Sequence, residues 1–274
     1  MIGRNEVKKV IQHKTPLRFI VSRVLWHSRL SSFLTISRRN YRVRFYPSAY
    51  SASLWLDPEH GAEDEAIVQS LVRTGDTVID VGANIGTLTL AMAKLVGESG
   101  QVFSIEAHPK IYQYLVGNVR LNGVRNVTTI NVACGRESQV VRLTDYKSDD
   151  QNSVDANGLS VKMQRLDAIV TLPRHREIAM LKIDVEGYEK FVLEGASGLL
   201  SRTAIVYFES WTAHYGKFGY QLCDIVEQLS SHGFRIFRMN GQPVDKGYNS
   251  FHCENLVATR LMAPIEAIRK VQSA

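Results

Sequence analysis

The sequence predicts an α/β fold, a mostly parallel sheet with helices on both faces. Three observations predict it. From about Asp57 onward, short runs rich in Val, Ile, Thr and Phe alternate with apolar runs at helical spacing. Residues 78–90, VIDVGANIGTLTL, read as a buried strand passing through a glycine-spaced turn into an apolar helix. The chain has 274 residues, 45% of them hydrophobic, enough for one large domain with an extension.

The elements follow in order. DTVIDVG (76–82) is the first strand, and Gly86–Val96, apolar almost all round, is a helix trapped against a sheet. QVFSIEA (101–107) is the second strand. Pro109 suits a first helical turn, and Ile111, Leu115 and Val119 continue that helix to a stop at Asn122-Gly123. NVTTINVA (126–133), rich in β-branched residues, is the third strand. QVVRL (139–143) and SVKMQRL (160–166), separated by polar turn-rich sequence, suggest a hairpin-like insertion. AMLKIDV (179–185) is the fourth strand, with a helix from about Gly187 to Leu200. AIVYFES (204–210) is the fifth. Leu222, Ile225, Val226 and Leu229 mark a helix ended by Gly233, and FRIFRM (234–239) and ENLVATRL (254–261) are two closing strands that pair antiparallel.

Charge divides the chain. Residues 1–44 hold eleven Lys/Arg and one acid, and no acid occurs from Val7 to Leu56. The net charge of +6 therefore belongs to the N-terminal part. On this basis residues 1–56 form a basic amphipathic arm and 57–274 the α/β domain. In the arm Leu17, Ile20, Val21, Val24 and Leu25 recur at helical spacing, with Lys14, Arg18, Ser22 and Arg29 on another side. Such a helix packs on its own body or a second subunit. The alternatives are an anionic membrane surface with Trp26 and Phe33 at the interface, nucleic-acid phosphates, or organelle targeting. The longest run without a charge, Val81–Ala93, is too short to cross a bilayer, and no secretory signal is evident. Cys134, Cys223 and Cys253 are odd in number and widely spaced. A reducing, cytoplasmic setting is expected.

Asp80 ends a buried strand, where a charge needs a partner. A dinucleotide fingerprint would place a glycine there. The pattern is instead D-x-G-x-N-x-G, and a carboxylate beside the turn repels a pyrophosphate. It suits a cationic, phosphate-free nucleoside, and S-adenosylmethionine is one: a sulfonium, an ammonium and a ribose diol. Gly82 permits close approach of the methionine part, and Gly86 lets the helix start pack tightly. Glu106, at the carboxyl end of the second strand, can accept hydrogen bonds from both ribose hydroxyls. In LKIDVEGYE (181–189), Glu186 and Glu189 have a structural reading as acids at a helix N-terminus, whereas Asp184 should point into the cleft.

VIDVGANIGTLTL, Glu106 before HP, RLDAIV (165–170) and above all LKIDVEGYEKFVLEGA (181–196) resemble the FkbM-type S-adenosylmethionine-dependent methyltransferases. The likeness runs from about Asp57 to Arg260. It implies a Rossmann-like seven-stranded sheet of order 3-2-1-4-5-7-6 whose last strand is antiparallel. It also implies methyl transfer to a hydroxyl of a sugar, glycan or secondary metabolite. Asp80, Gly82, Asn84, Gly86 and Glu106 match the family's cofactor positions, and Asp184 its fourth-strand acid. EAHP replaces the more usual E-P-x-P, which leaves Ala107 beside the adenine, and Val132-Ala133 should offer backbone contacts at the third-strand tip.

An acceptor hydroxyl gains from a base, and the candidates are Asp184, Glu209 and His214. Asp184 together with Glu209 could alternatively ligate a divalent metal that acidifies the hydroxyl, but no metal ligand is assigned, because no Asp-Asn pair follows the fifth strand. SWTAHYGKFGY (210–220) offers Trp211, Tyr215, Phe218 and Tyr220 either as a platform over the cleft or as cover for the sheet end. A small-molecule or glycan acceptor is expected, and nucleic acid is not. A protein or lipid acceptor recruited by the arm, or an inactive cofactor-binding scaffold, are the other readings.

Overall fold

The computed structural model describes residues 16–27, 31–145 and 152–272. It starts with helix α1 (Pro16–His27) and an antiparallel ribbon of β1 (Thr35–Ser37) and β2 (Arg42–Arg44), followed by helices α2 (Ala49–Leu56) and α3 (Ala62–Leu71). The strand–helix alternation then gives β3 (Thr77–Val81), α4 (Thr87–Val96), β4 (Gln101–Ile105), α5 (Pro109–Leu121) and β5 (Val127–Ile130). An insertion supplies β6 (Ala133–Cys134), β7 (Gln139–Leu143), β8 (Val154–Asp155), β9 (Leu159–Gln164) and α6 (Leu166–Ile169). The second half adds β10 (Ile178–Ile183), α7 (Glu189–Glu194), α8 (Ser197–Leu200), β11 (Thr203–Ser210) and α9 (Thr212–Tyr215). It closes with α10 (Leu222–Ser231), β12 (Arg235–Arg238), β13 (Glu254–Thr259) and α11 (Ala263–Gln272).

The main sheet runs β5-β4-β3-β10-β11-β13-β12, the order 3-2-1-4-5-7-6 expected from the resemblance. Only β13 is antiparallel to its neighbours. Alternate residues of the central strands point to opposite faces, so each face has its own core. Ile79, Val81, Leu181, Ile183 and Phe208 lie on one, and Val78, Met180, Tyr207 and Val257 on the other. Burial on both sides explains why these strands read as continuous apolar runs.

Several boundaries differ from the sequence reading. The third strand ends at Ile130; Val132 lies beyond it, and Ala133 belongs to a second sheet of order β6-β9-β7-β8. The hairpin of 139–143 and 160–166 is present as β7 and β9, enlarged to four strands. The helix expected over 187–200 is broken into α7 and α8. At Gly195 a Cβ would lie 2.1 Å from the carbonyl oxygen of Gly135, and Asp167 of RLDAIV caps α8 through Gly198 N and Leu199 N at 3.0 and 2.9 Å. Helix α11 was not anticipated, although Ile265 and Ile268, which it buries, stand at helical spacing.

Much of the supposed arm is body. Tyr41, Val43, Phe45 and Leu54 are buried. Asn118 on α5 and Asn122, which caps that helix, accept the backbone N–H groups of Arg44 and Arg42 at 2.8 and 2.9 Å, and Arg38 pairs with Glu65 at 2.7 Å. The charge boundary near residue 56 is thus not the packing boundary. Of the amphipathic pattern, Lys14 and Arg29 and the side chain of Leu25 lie outside the described residues.

Candidate active site

Asp80 is 1% exposed on β3. Thr89 of α4 donates to it at 2.5 Å and lies 2.8 Å from Ser104 of β4. In the sheet register Lys182 of β10 is its neighbour, and the Lys182 ammonium lies 2.7 Å from the Asp184 carboxylate. Burial raises the Asp80 pKa, opposed by Lys182 and Thr89. Burial alone would lower that of Lys182, but the charges of Asp184 and Asp80 outweigh it and hold the ammonium protonated. Asp80 therefore has protein partners first, and its charge at the cleft floor is shared with this row of alternating charges.

The turn that follows settles which ligand fits. Gly82 N and Ala83 N both donate to Ile105 O at 3.0 Å, and Asn84 N to a Glu106 carboxylate oxygen at 2.9 Å. Ile85 N donates to Asn84 Oδ1 at 2.7 Å and Gly86 N to Ala83 O at 2.9 Å. All five amides are spent inside the protein, so the turn presents no free N–H cradle for a phosphate. Glu106 is held from two sides, accepting also from His108 N at 2.8 Å, and a carboxylate fixed in this way suits a diol. Acids at both ends and no anion-binding amides fit S-adenosylmethionine and do not fit a dinucleotide.

Gly86 packs the helix start tightly as expected, with φ +90° and a Cβ position 2.5 Å from Leu115, but it does not line the cavity with the other residues matched to the cofactor. Gly82 lines the cavity and has structural reasons of its own, a φ of +83° and a crowded Cβ position. A Cβ there would fall 1.7 Å from the carbonyl oxygen of Asp184, so the residue makes room for the neighbouring strand. Asn84 takes the left-handed conformation (φ +50°) that Asn tolerates.

Asp80, Gly82, Asn84, Glu106, Ala107, Val132 and Ala133 all line one cavity of about 520 Å³. Thus Val132 and Ala133 reach the cleft although they are not the third-strand tip. Leu143, Asn152, Ser153 and Val154 bring the second sheet over the same side, and Tyr50 enters from the N-terminal segment, its hydroxyl 3.3 Å from that of Thr87. Neither contribution had a signal in the sequence.

The cavity continues beyond β10 and β11, where Asp184, Glu209 and His214 converge. Burial, followed by the charge of Asp184, pushes the Glu209 carboxyl up to about 7, and Cys253 Sγ donates to it at 3.0 Å. Burial, then Lys217, lowers the pKa of His214. Its ring lies against Trp211, centroids 4.2 Å apart, and its Nδ1 is 3.3 Å from Glu186. Glu186 was read as a helix-dipole acid; its positive φ (+56°) before α7 turns it into the cleft instead. Ligand atoms of Glu186, Glu209 and His214 lie within 4.8 Å of one another, a nitrogen and two oxygens within reach of one divalent ion, a cluster that the sequence reading did not assign. Of the four aromatic residues in 210–220 only Trp211 lines the cavity; Tyr215 and Tyr220 stack on each other in the core, and Phe218 packs on Tyr188 and Phe191.

Glu189 keeps its structural reading. It is buried and accepts from Val185 N and Gly187 N at 3.1 and 3.2 Å, holding the loop that carries Glu186. Burial outweighs these bonds and raises its pKa from 4.5 to about 7. A folded value above the unfolded one means that stability is full below about pH 4.5 and is lost as the pH rises through about 7. Glu189→Gln should therefore raise stability above pH 7 by on the order of 2–3 kcal/mol and change little near pH 4. Equal destabilisation at pH 4 and pH 8 in denaturant titrations would contradict this.

The model of the methyltransferase FkbM domain matches residues 80–236, more than half of the chain. Methyltransferase 1 of Beauveria bassiana is 29% identical over 143 residues, covering 43% of this chain and 57% of that protein. A protein-L-isoaspartate O-methyltransferase of Fervidobacterium nodosum is 28% identical over 129 residues, covering 45% and 62%. The chain thus spans somewhat over half the length of these relatives. Among solved structures, a SAM-dependent methyltransferase from Aquifex aeolicus aligns with TM-score 0.43 at 16% identity over 75% of this chain and 94% of that one. SMU.1697c of Streptococcus mutans, in complex with SAH, aligns with TM-score 0.45 at 12% identity over 74% and 98%. With its cleft shaped for a phosphate-free nucleoside and its motifs in place, the chain belongs to the FkbM family of S-adenosylmethionine-dependent methyltransferases.

Proposed function

We propose that the enzyme methylates a hydroxyl of a sugar, a glycan or a related secondary metabolite, with Glu209 as general base. The observation that carries this reading is a half-buried carboxylate in the cavity with its pKa pushed up to about 7, where a base is half ionised at neutral pH. When bound, the cofactor supplies a methyl group made electrophilic by its sulfonium. Asp184, fixed by Lys182, keeps Glu209 basic through its charge. Glu209 would take the proton of the acceptor hydroxyl as that oxygen becomes methylated. Trp211 offers a flat face to an apolar or sugar ring, and Glu186 and His214 offer hydrogen bonds to neighbouring hydroxyls.

The charge of this end argues against a carboxylate acceptor of the kind named for the isoaspartate relative. Asp64, Asp184, Glu186 and Glu209 line the same cavity and would repel one. The test is a panel of polyols, glycosides and carboxylic acids, including an isoaspartyl peptide, incubated with methyl-labelled cofactor. Base-stable label, an ether, on a hydroxyl compound is expected; base-labile methyl ester on an acid would overturn the assignment.

A further inference from the structure

Helix α1 presents two opposed faces. At 100° per residue, Leu17, Ile20, Val21 and Val24 fall within an arc of about 100°. They are 78%, 46%, 40% and 62% exposed. Phe19, Ser22 and Trp26 lie on the opposite side; Ser22 is buried and the other two half-buried. The helix is secured there to α2, where Trp55 Nε1 donates to Arg18 O at 3.0 Å. Arg18 and Arg23 fall on the two flanks between these faces, and both are exposed. Phe33, in the turn Ser31–Phe33 beside the helix, is 81% exposed. The body thus uses the weaker face of its own helix and turns the more apolar one outward.

We propose that this face docks on an anionic phospholipid surface, with Leu17, Ile20, Val21 and Val24 entering the headgroup boundary and the arginines meeting lipid phosphates. A continuous apolar stripe flanked by cations is the composition of a helix that lies in a membrane interface. Charge decides between the two occupants an apolar stripe invites. Residues 1–44 carry eleven Lys/Arg against one acid, so docking a second copy on the same face would bring two strongly basic segments together. A negatively charged bilayer is complementary to them. Among the described residues no helix is long and apolar enough to cross a membrane, and the contact would be peripheral. This inference is independent of the methyl acceptor.

The experiment is sedimentation of the full chain with vesicles of phosphatidylcholine alone and with phosphatidylglycerol added, alongside sedimentation velocity of the protein by itself. Binding to the anionic vesicles is expected, weakened at least tenfold when phosphatidylglycerol is omitted, since each arginine near an anionic surface is worth roughly a factor of five. Leu17→Glu with Val24→Glu should weaken it by at least tenfold as well. These side chains face solvent, and unchanged affinity for S-adenosylhomocysteine would show that the variant is folded. Failure to bind anionic vesicles, or binding that survives the double substitution, overturns the proposal. So does self-association abolished by that substitution without vesicle binding, which would assign the face to a second copy.

Discussion

Replacing Glu209 by Gln is expected to lower kcat by about 10²–10⁴-fold while leaving affinity for S-adenosylhomocysteine within about twofold. In the proposed role, the substitution keeps the shape and removes the basic oxygen that would take the hydroxyl proton. It leaves intact the turn 82–86 and Glu106 at the other end of the site, which are bonded to each other and not to Glu209. In the unaltered enzyme kcat should fall about tenfold per unit of pH below about 7, because a base with a raised pKa is protonated there. Asp184→Asn supplies the check on cause. Asp184 is the largest charged contributor to the raised value, so neutralising it should move the midpoint of the pH profile of kcat downward. A Glu209→Gln enzyme of ordinary rate, or a midpoint indifferent to Asp184, would remove Glu209 from the base role.

Glu106→Ala is expected to raise the dissociation constant for S-adenosylhomocysteine by about 100-fold, near 3 kcal/mol, as measured by calorimetry. Two effects combine. The proposed acceptor of both ribose hydroxyls disappears, and charge-assisted bonds are the stronger kind. The amides of Asn84 and His108 lose their common partner as well, which loosens the turn. Glu106→Gln should fall between the two, since an amide oxygen still accepts from one side. Affinity unchanged by both substitutions would place the cofactor elsewhere.

Local chemistry made the strand tips and the turn at one end of the cavity legible. Asp80, Gly86 and Glu106 occupy strand tips and a turn, positions set by a few neighbouring residues, and a strand followed by a glycine turn announces them. The need for Gly82 is only partly local: its φ of +83° favours glycine by itself, but the carbonyl of Asp184, about a hundred residues away in sequence, also forbids a side chain. Glu186 was misread because an acid at a helix start has a sufficient structural reason, and its positive φ does not show in residue types. Tyr50 was assigned to an arm by charge, yet charge reports on surface. Burial of Tyr41, Val43 and Phe45 beneath that basic surface is what brings the segment to the cleft. The sheet order followed from the family resemblance, whereas the second sheet grew from pairing that short, half-exposed strands signal only weakly.

The most direct measurement is the structure of the complex with S-adenosylhomocysteine. Both ribose hydroxyls should lie within hydrogen-bond distance of Glu106, the homocysteine chain should pass over residues 82–84, and the sulfur should point toward Glu209. A nucleoside whose ribose avoids Glu106, or whose sulfur faces away from Asp184 and Glu209, would contradict the assignment of the two ends.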